Sequence, residues 1–232
     1  MDSASSFITV GNAHWYISPK KKDVYYPSVT TILSAFPKGE GFSKYLTAQL
    51  NWESSQDILK EAGRRGTLVH KTTEMLEAGG VALRQGFTDQ EWEMLVGFVD
   101  WYKSTQPLLV KMESSIVSDK HKTGGTIDRV YKIGDYQIIL DIKTSGAIYD
   151  NYWAQVAAYA QMYEEKHKTT ISHTAILRLT DKKKTRFEYV LHDRNEWKED
   201  FKIFKATQQI WDYLNPNSKP KIVELPNELS LK

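Results

Sequence analysis

Apolar and polar positions repeat with two different periods along the chain, and the change falls at Pro107. Ahead of it, short alternating stretches FITV and HWYIS are split by Gly11-Asn12, which predicts an N-terminal hairpin, followed by an exposed Lys20–Lys22 loop. From there the spacing becomes three to four. Ser28 is placed to cap a helix over VTTILSAF that Pro37 stops, and Ser43 to cap a second helix running to about Ala62, with Gly63 as its end. After Arg64-Arg65-Gly66 a third helix carries TLVHKTTEMLEA to Gly79-Gly80. Thr88 and Glu91 have the form of a capping box that opens a fourth helix through Trp92, Leu95, Val96, Val99 and Tyr102.

Beyond Pro107 the period is two. LLVKMESSIVS, GTIDRVYKI and YQIILDIKT read as strands, the last pair joined by a tight Gly134-Asp135 turn. A helix over about 148–166 puts Trp153, Val156, Ala157 and Ala160 on one stripe, and the strands ISHTAILRL and TRFEYVLH flank an exposed Asp181–Lys184 turn. Asp193 and Glu196 suit a second capping box, for a helix ending near Pro216. The crossover from strand 136–143 through a helix to strand 171–179 should be parallel, and parallel crossovers are right-handed in nearly all sheets. The expected class is therefore α/β: a mixed central sheet flanked by helices, with an N-terminal helical elaboration. We expect one domain over 1–232, comprising a hairpin and helical part at 1–106, an αβ core at 107–215 and a tail at 216–232.

Composition narrows the chemistry. With 41% apolar residues in 232 the chain can fill a core, and the lack of cysteine excludes disulfides, thiolate zinc sites and an iron–sulfur cluster. No run of about 18 apolar residues and no signal-like N-terminal segment occurs, so no membrane contact is expected and a cytoplasmic setting is, with the mitochondrial matrix as alternative. A net charge of +2 is too small for nucleic-acid binding through the bulk field, so any basic surface must be local.

The strand YQIILDIK ends on two opposite charges. Asp141 and Lys143 share one face while Leu140 and Ile142 share the other, and Asp128 on the preceding strand can approach across the hairpin. Two carboxylates converging on a rigid sheet repel unless a cation lies between them, and oxygen donors of this kind suit Mg²⁺ or Mn²⁺. A metal ion beside an ammonium suits phosphodiester hydrolysis. Asp-x-Lys alone is a frequent tripeptide, and a surface ion pair is its plainer reading.

The motifs around it are more specific. His70 in RRGTLVHKTTE, Gly125 to Asp128 in GTID, Asp141 to Lys143 in IILDIKTS, and Gln155 to Tyr159 in QVAAY occur in the order of the RecB-like branch of the PD-(D/E)XK nuclease superfamily, which this chain resembles over residues 27–160. YPSVTTIL is similar to the N-terminal part of phage exonucleases and mitochondrial genome maintenance exonucleases of that branch. The resemblance implies a restriction-endonuclease-like fold and a Mg²⁺- or Mn²⁺-dependent deoxyribonuclease, an exonuclease acting on DNA ends or single strands in phage or mobile-element recombination, replication or repair. It further implies that His70, Asp128, Asp141 and the Ile142 backbone carbonyl hold the metal and that Lys143 is catalytic. In the branch pattern Gln155 meets a phosphate or holds the lysine, with Tyr159 supporting it. Glu113 matches an acidic residue common in the branch, against a place at the sheet edge. Glu74, one turn beyond His70, shares its face and is a candidate for a second metal or a supporting contact, against a solvated helix face.

Partners follow from the same reading: DNA, single-stranded or with free ends, with a recombination or single-strand-binding protein as a further candidate. Among the basic clusters only Arg64 and Arg65 neighbour a proposed ligand, and they are the candidates for DNA phosphate contacts. Phe42, Tyr45 and Trp52 could stack on unpaired bases, although helix core is the commoner fate of aromatic residues. Two alternatives keep the same residues: a structure-specific endonuclease, and an inactive nuclease-like subunit that only binds nucleic acid.

Overall fold

A computed structural model describes residues 7–10, 13–37 and 52–220. Strands β1 (Phe7–Val10), β2 (Ala13–Ile17) and β3 (Tyr25–Pro27) form a small antiparallel sheet, so the expected hairpin gains a third strand. Ser28 then caps α1 (Val29–Ile32), its Oγ accepting the Thr31 N–H at 2.9 Å, and a 3₁₀ turn over Leu33–Ala35 completes the segment before Pro37. Phe42, Tyr45 and the start of the helix expected from Ser43 lie outside the described residues.

The central sheet has the order β4 (Leu108–Ser118), β5 (Thr123–Ile133), β6 (Tyr136–Lys143), β7 (His173–Leu179) and β8 (Phe187–His192). Only β6 and β7 run parallel, joined by α4 (Asp150–His167), and the other neighbours are antiparallel. Helices cover both faces, giving the mixed sheet flanked by helices that the strand and helix pattern implies. On one face Ile116, Val130, Ile139 and Ile176 pack on α4, which α5 (Arg194–Leu214) covers in turn through Trp197 and Phe204. On the other, Tyr131, Ile138, Leu140, Ile142 and Leu177 pack with Val69 of α2 (Trp52–Glu77) and with Met94, Phe98 and Trp101 of α3 (Asp89–Thr105). Alternation along β6 thus sends Leu140 and Ile142 into one layer and leaves Asp141 and Lys143 on the α4 side.

Both predicted capping boxes form, Thr88 with Glu91 and Asp193 with Glu196. Gly63 and Gly66 do not end a helix: the second and third expected helices are one, α2, which continues until Gly79 takes φ +87°. Two interior glycines weaken a helix by about 1 kcal/mol each relative to alanine, a deficit that tertiary contacts override. Those contacts are Arg64, between them, which donates to Glu91 of α3, and Val69, which is fully buried one turn on; within α2 Arg64 also pairs with Glu61. A Cβ at Gly63 would meet nothing within 4 Å and its φ is helical, so Gly63→Ala should raise stability by about 0.5–1 kcal/mol, read as a higher urea midpoint at unchanged m-value.

Candidate active site

The site begins where β5 leaves β6. Their ladder ends at Arg129 opposite Leu140, and beyond it the alternation of β5 breaks: Ile127 and Val130, three apart, both face the α4 layer. On its β5 side the end of β6 therefore lacks a ladder partner, while β7 still pairs its other edge, and Asp128 supplies one through its side chain, Oδ2 accepting the Ile142 N–H at 3.0 Å. On the far side of β5, Glu113 of β4 takes φ +46°, a left-handed conformation rare for a residue with a side chain and characteristic of strained functional positions.

α2 runs across this opening and delivers His70. Its Nε2 lies 2.9 Å from the Ile142 carbonyl oxygen, to which it donates, and its Nδ1 lies 3.4 Å from Asp128 Oδ2. His70, Asp128 and Glu113 each offer a donor atom within 4.8 Å of the others. Desolvation, then repulsion from Asp128 and Glu74, pushes the Glu113 carboxyl up to about 7. Glu74 thus acts on Glu113 through space without joining the trio.

Asp141 stands beside this group on the α4 side and is 2% exposed. Its Oδ1 accepts the Gln155 amide N–H at 3.0 Å, and Oδ2 pairs with the Lys143 ammonium at 2.5 Å. Burial pushes the Asp141 carboxyl upward against the pull of Lys143. Burial also pulls the Lys143 ammonium down, but the Asp141 and Asp128 carboxylates outweigh it and hold the amine above its ordinary range. The lysine is therefore a cation at neutral pH that keeps its proton and donates hydrogen bonds. Gln155 settles the orientation of both charges, since its carbonyl accepts from Lys143 at 3.1 Å while its amide donates to Asp141. Tyr159 lies one turn on with its hydroxyl 3.5 Å from the Gln155 nitrogen, and its ring fills the space a side chain at Gly125 would take, 2.4 Å from that Cβ. This close approach is the packing reason for glycine in GTID.

Arg64 and Arg65 turn toward α3: Arg64 is held by Glu61 and Glu91, and Arg65 Nη1 donates to Gln90 at 3.1 Å. A set of buried residues behind the trio escapes the sequence reading. Arg129, 0% exposed, pairs with Glu77 at the end of α2, donates to Thr73 at 3.2 Å and to the Asp128 carbonyl at 2.9 Å, and has Nη1 3.7 Å from Glu113 Oε1. The available signal was an arginine inside a strand whose neighbours are apolar, a position that demands a partner. Tyr152, whose ring centre is 4.6 Å from the Lys143 nitrogen, was also missed.

The donor set of His70, Glu113 and Asp128, with the Ile142 carbonyl beside His70, fits a hard divalent cation: carboxylate, carbonyl and imidazole donors lie close together and the two acids repel one another. A consequence can be measured in the metal-free protein. Between pH 4.5 and about 7 folded Glu113 holds a proton that the unfolded chain releases, so its contribution to stability is complete below pH 4.5 and is lost as the pH rises through 7. The thermal midpoint of wild type relative to Glu113→Gln should fall across that window, and saturating Mg²⁺ should flatten the difference. A pH-independent difference would refute this placement of Glu113.

No protein-family model and no curated protein matches the sequence. Among solved structures, the chain is similar to a presumed exonuclease from Eubacterium rectale, with 12% identity over 72% of this chain and 76% of that one and a TM-score of 0.45. It is also similar to an alkaline exonuclease from Laribacter hongkongensis, with 11% identity over 82% and 91% of the two chains and a TM-score of 0.37.

Proposed function

We propose that this protein is a metal-dependent deoxyribonuclease that hydrolyses phosphodiester bonds at DNA ends or in single strands, an exonuclease of the RecB-like PD-(D/E)XK type. The observation that carries the reading is the meeting of His70, Glu113 and Asp128 beside the Asp141–Lys143–Gln155 unit at one strand end. His70, Asp128, Asp141 and the Ile142 carbonyl, with Glu113, would hold Mg²⁺ or Mn²⁺. Such an ion, when bound, polarises a phosphate oxygen and lowers the pKa of a water.

The chain's own contribution centres on Lys143. Its ammonium is charged, fixed by Gln155 and Tyr152, and placed to donate to a non-bridging phosphate oxygen as negative charge grows there. Gln155 keeps the amine and Asp141 in one arrangement, so little reorganisation is needed during reaction. Asp128 joins the trio to the backbone of β6 and fixes the spacing of the two carboxylates. A module that only binds nucleic acid has no use for mutually repelling acids at the place where a phosphate would lie.

The experiment is incubation with end-labelled linear and with circular single-stranded DNA, in Mg²⁺, Mn²⁺ or chelator. Metal-dependent loss of the linear substrate with survival of circles is expected. Nicked circles would establish the endonuclease alternative, and survival of both substrates in every condition would leave only the binding subunit. Titration calorimetry with Mn²⁺ provides a separate test, because absence of binding removes the metal centre altogether.

A further inference from the structure

Where the loop after β6 enters α4 stand two tyrosines, Tyr152 in the first turn of the helix beside Lys143 and Tyr149 just ahead of it, and Tyr149 has no part in the chemistry described above. Tyr152 presents its ring to the Lys143 ammonium and lies edge-on to Tyr149, with ring centres 5.5 Å apart at 75°. Tyr149 is half exposed and occupies the N-cap position of α4 without making a capping hydrogen bond. That position favours serine, threonine, aspartate or asparagine, so an aromatic residue there does nothing for the helix. The loop beneath is tied to β7 by hydrogen bonds. Arg178, 6% exposed and clamped by Glu188, donates to the carbonyls of Ser145 and Gly146, and the Ser145 hydroxyl donates to the Ala147 carbonyl at 2.7 Å. The result is an exposed aromatic face one ring away from the amine that would meet the phosphate.

We propose that Tyr149, backed by Tyr152, is a stacking platform for one unpaired nucleobase of the strand whose phosphate faces Lys143. The proposal deepens the nuclease reading and rests on it for the identity of the ligand. Aromatic faces bind bases of any sequence, whereas bases in a duplex are already stacked on their neighbours. The platform therefore selects unpaired ends without selecting sequence, and Tyr152 connects base capture to the placing of the amine.

The test uses Tyr149→Ala, Tyr149→Phe and Tyr149→Trp in the full chain. With single-stranded DNA the alanine variant should raise KM about tenfold with kcat within about twofold of wild type, while KM for a blunt duplex stays unchanged; the phenylalanine and tryptophan variants should keep wild-type KM. In parallel, quenching of a 2-aminopurine base in a short single strand is read with chelator present, so that nothing is cut. Wild type and the aromatic variants should quench, and the alanine variant should not. Equal KM and equal quenching in wild type and Tyr149→Ala overturn the platform, as does a fall in kcat shared by single-stranded and duplex substrates, which would make Tyr149 a support for Lys143 alone. If wild type cuts nothing in any metal, the nuclease reading fails by itself, and the quenching result still decides whether Tyr149 holds a base.

Discussion

Lys143→Met should lower the turnover of linear single-stranded DNA by about 10²–10³ while leaving Mn²⁺ binding in place, the loss typical of removing one preorganised charge stabiliser. Methionine keeps most of the stem that packs over Tyr152 and removes only the charged head, so the change is electrostatic before it is steric. Asp141 then loses its ion-pair partner but keeps the Gln155 hydrogen bond, and one of its oxygens becomes more available to a metal. Asp128→Asn should behave differently. It removes a charge from the trio itself, so calorimetry should show weaker Mn²⁺ binding together with the loss of cleavage. The contrast separates a residue that acts on the substrate from one that holds the ion. Turnover of Lys143→Met within tenfold of wild type would reduce the lysine to a structural partner of Asp141, and the proposed chemistry would lose its cation.

The parts of this site that could be read in advance are those set by local periodicity. The period of two along YQIILDIK places Asp141 and Lys143 opposite Leu140 and Ile142, and burial of the two apolar residues against α2 and α3 enforces it. Asp-Arg-Asn-Glu and Thr-Asp-Gln-Glu announce their capping boxes because both partners lie within four residues. Long-range pairings left weaker traces. Continuation of α2 through Gly63 and Gly66 depends on Glu91, which lies on another helix. The stripe foreseen for α4 describes half of its burial: Ala154, Ala158, Met162 and Tyr163 are buried as well, because the helix lies between the sheet and α5, whose Arg194 and Lys198 reach Glu164 and Gln161, and no pattern inside α4 specifies a covering helix. Glu113 could be singled out only by resemblance, since its left-handed backbone has no sequence signature. Glu77 reads as a surface residue at a helix end, yet its side chain is 1% exposed because Arg129, 52 positions later, lies against it.

That pair yields the largest expected effect on stability. Arg129→Met should destabilise the protein by about 3–5 kcal/mol, because it leaves the Glu77 carboxylate buried without a counter-charge. Tyr131 donates its hydroxyl to the same carboxylate, and one neutral hydrogen bond cannot replace the guanidinium. The measurement is urea unfolding, with a lower midpoint and an unchanged m-value as the expected form. Glu77→Leu alone should cost a comparable amount, since it strands a buried arginine whose remaining partners are Thr73, the Asp128 carbonyl and the distant edge of Glu113. The double variant should recover most of the loss, because what is costly is an unmatched charge and not the absence of the pair. A double variant as unstable as the sum of the singles would show that the pair contributes through packing. Arg129→Met within about 1 kcal/mol of wild type would show that water reaches Glu77, and the sealed wall behind the three convergent donors would then not exist.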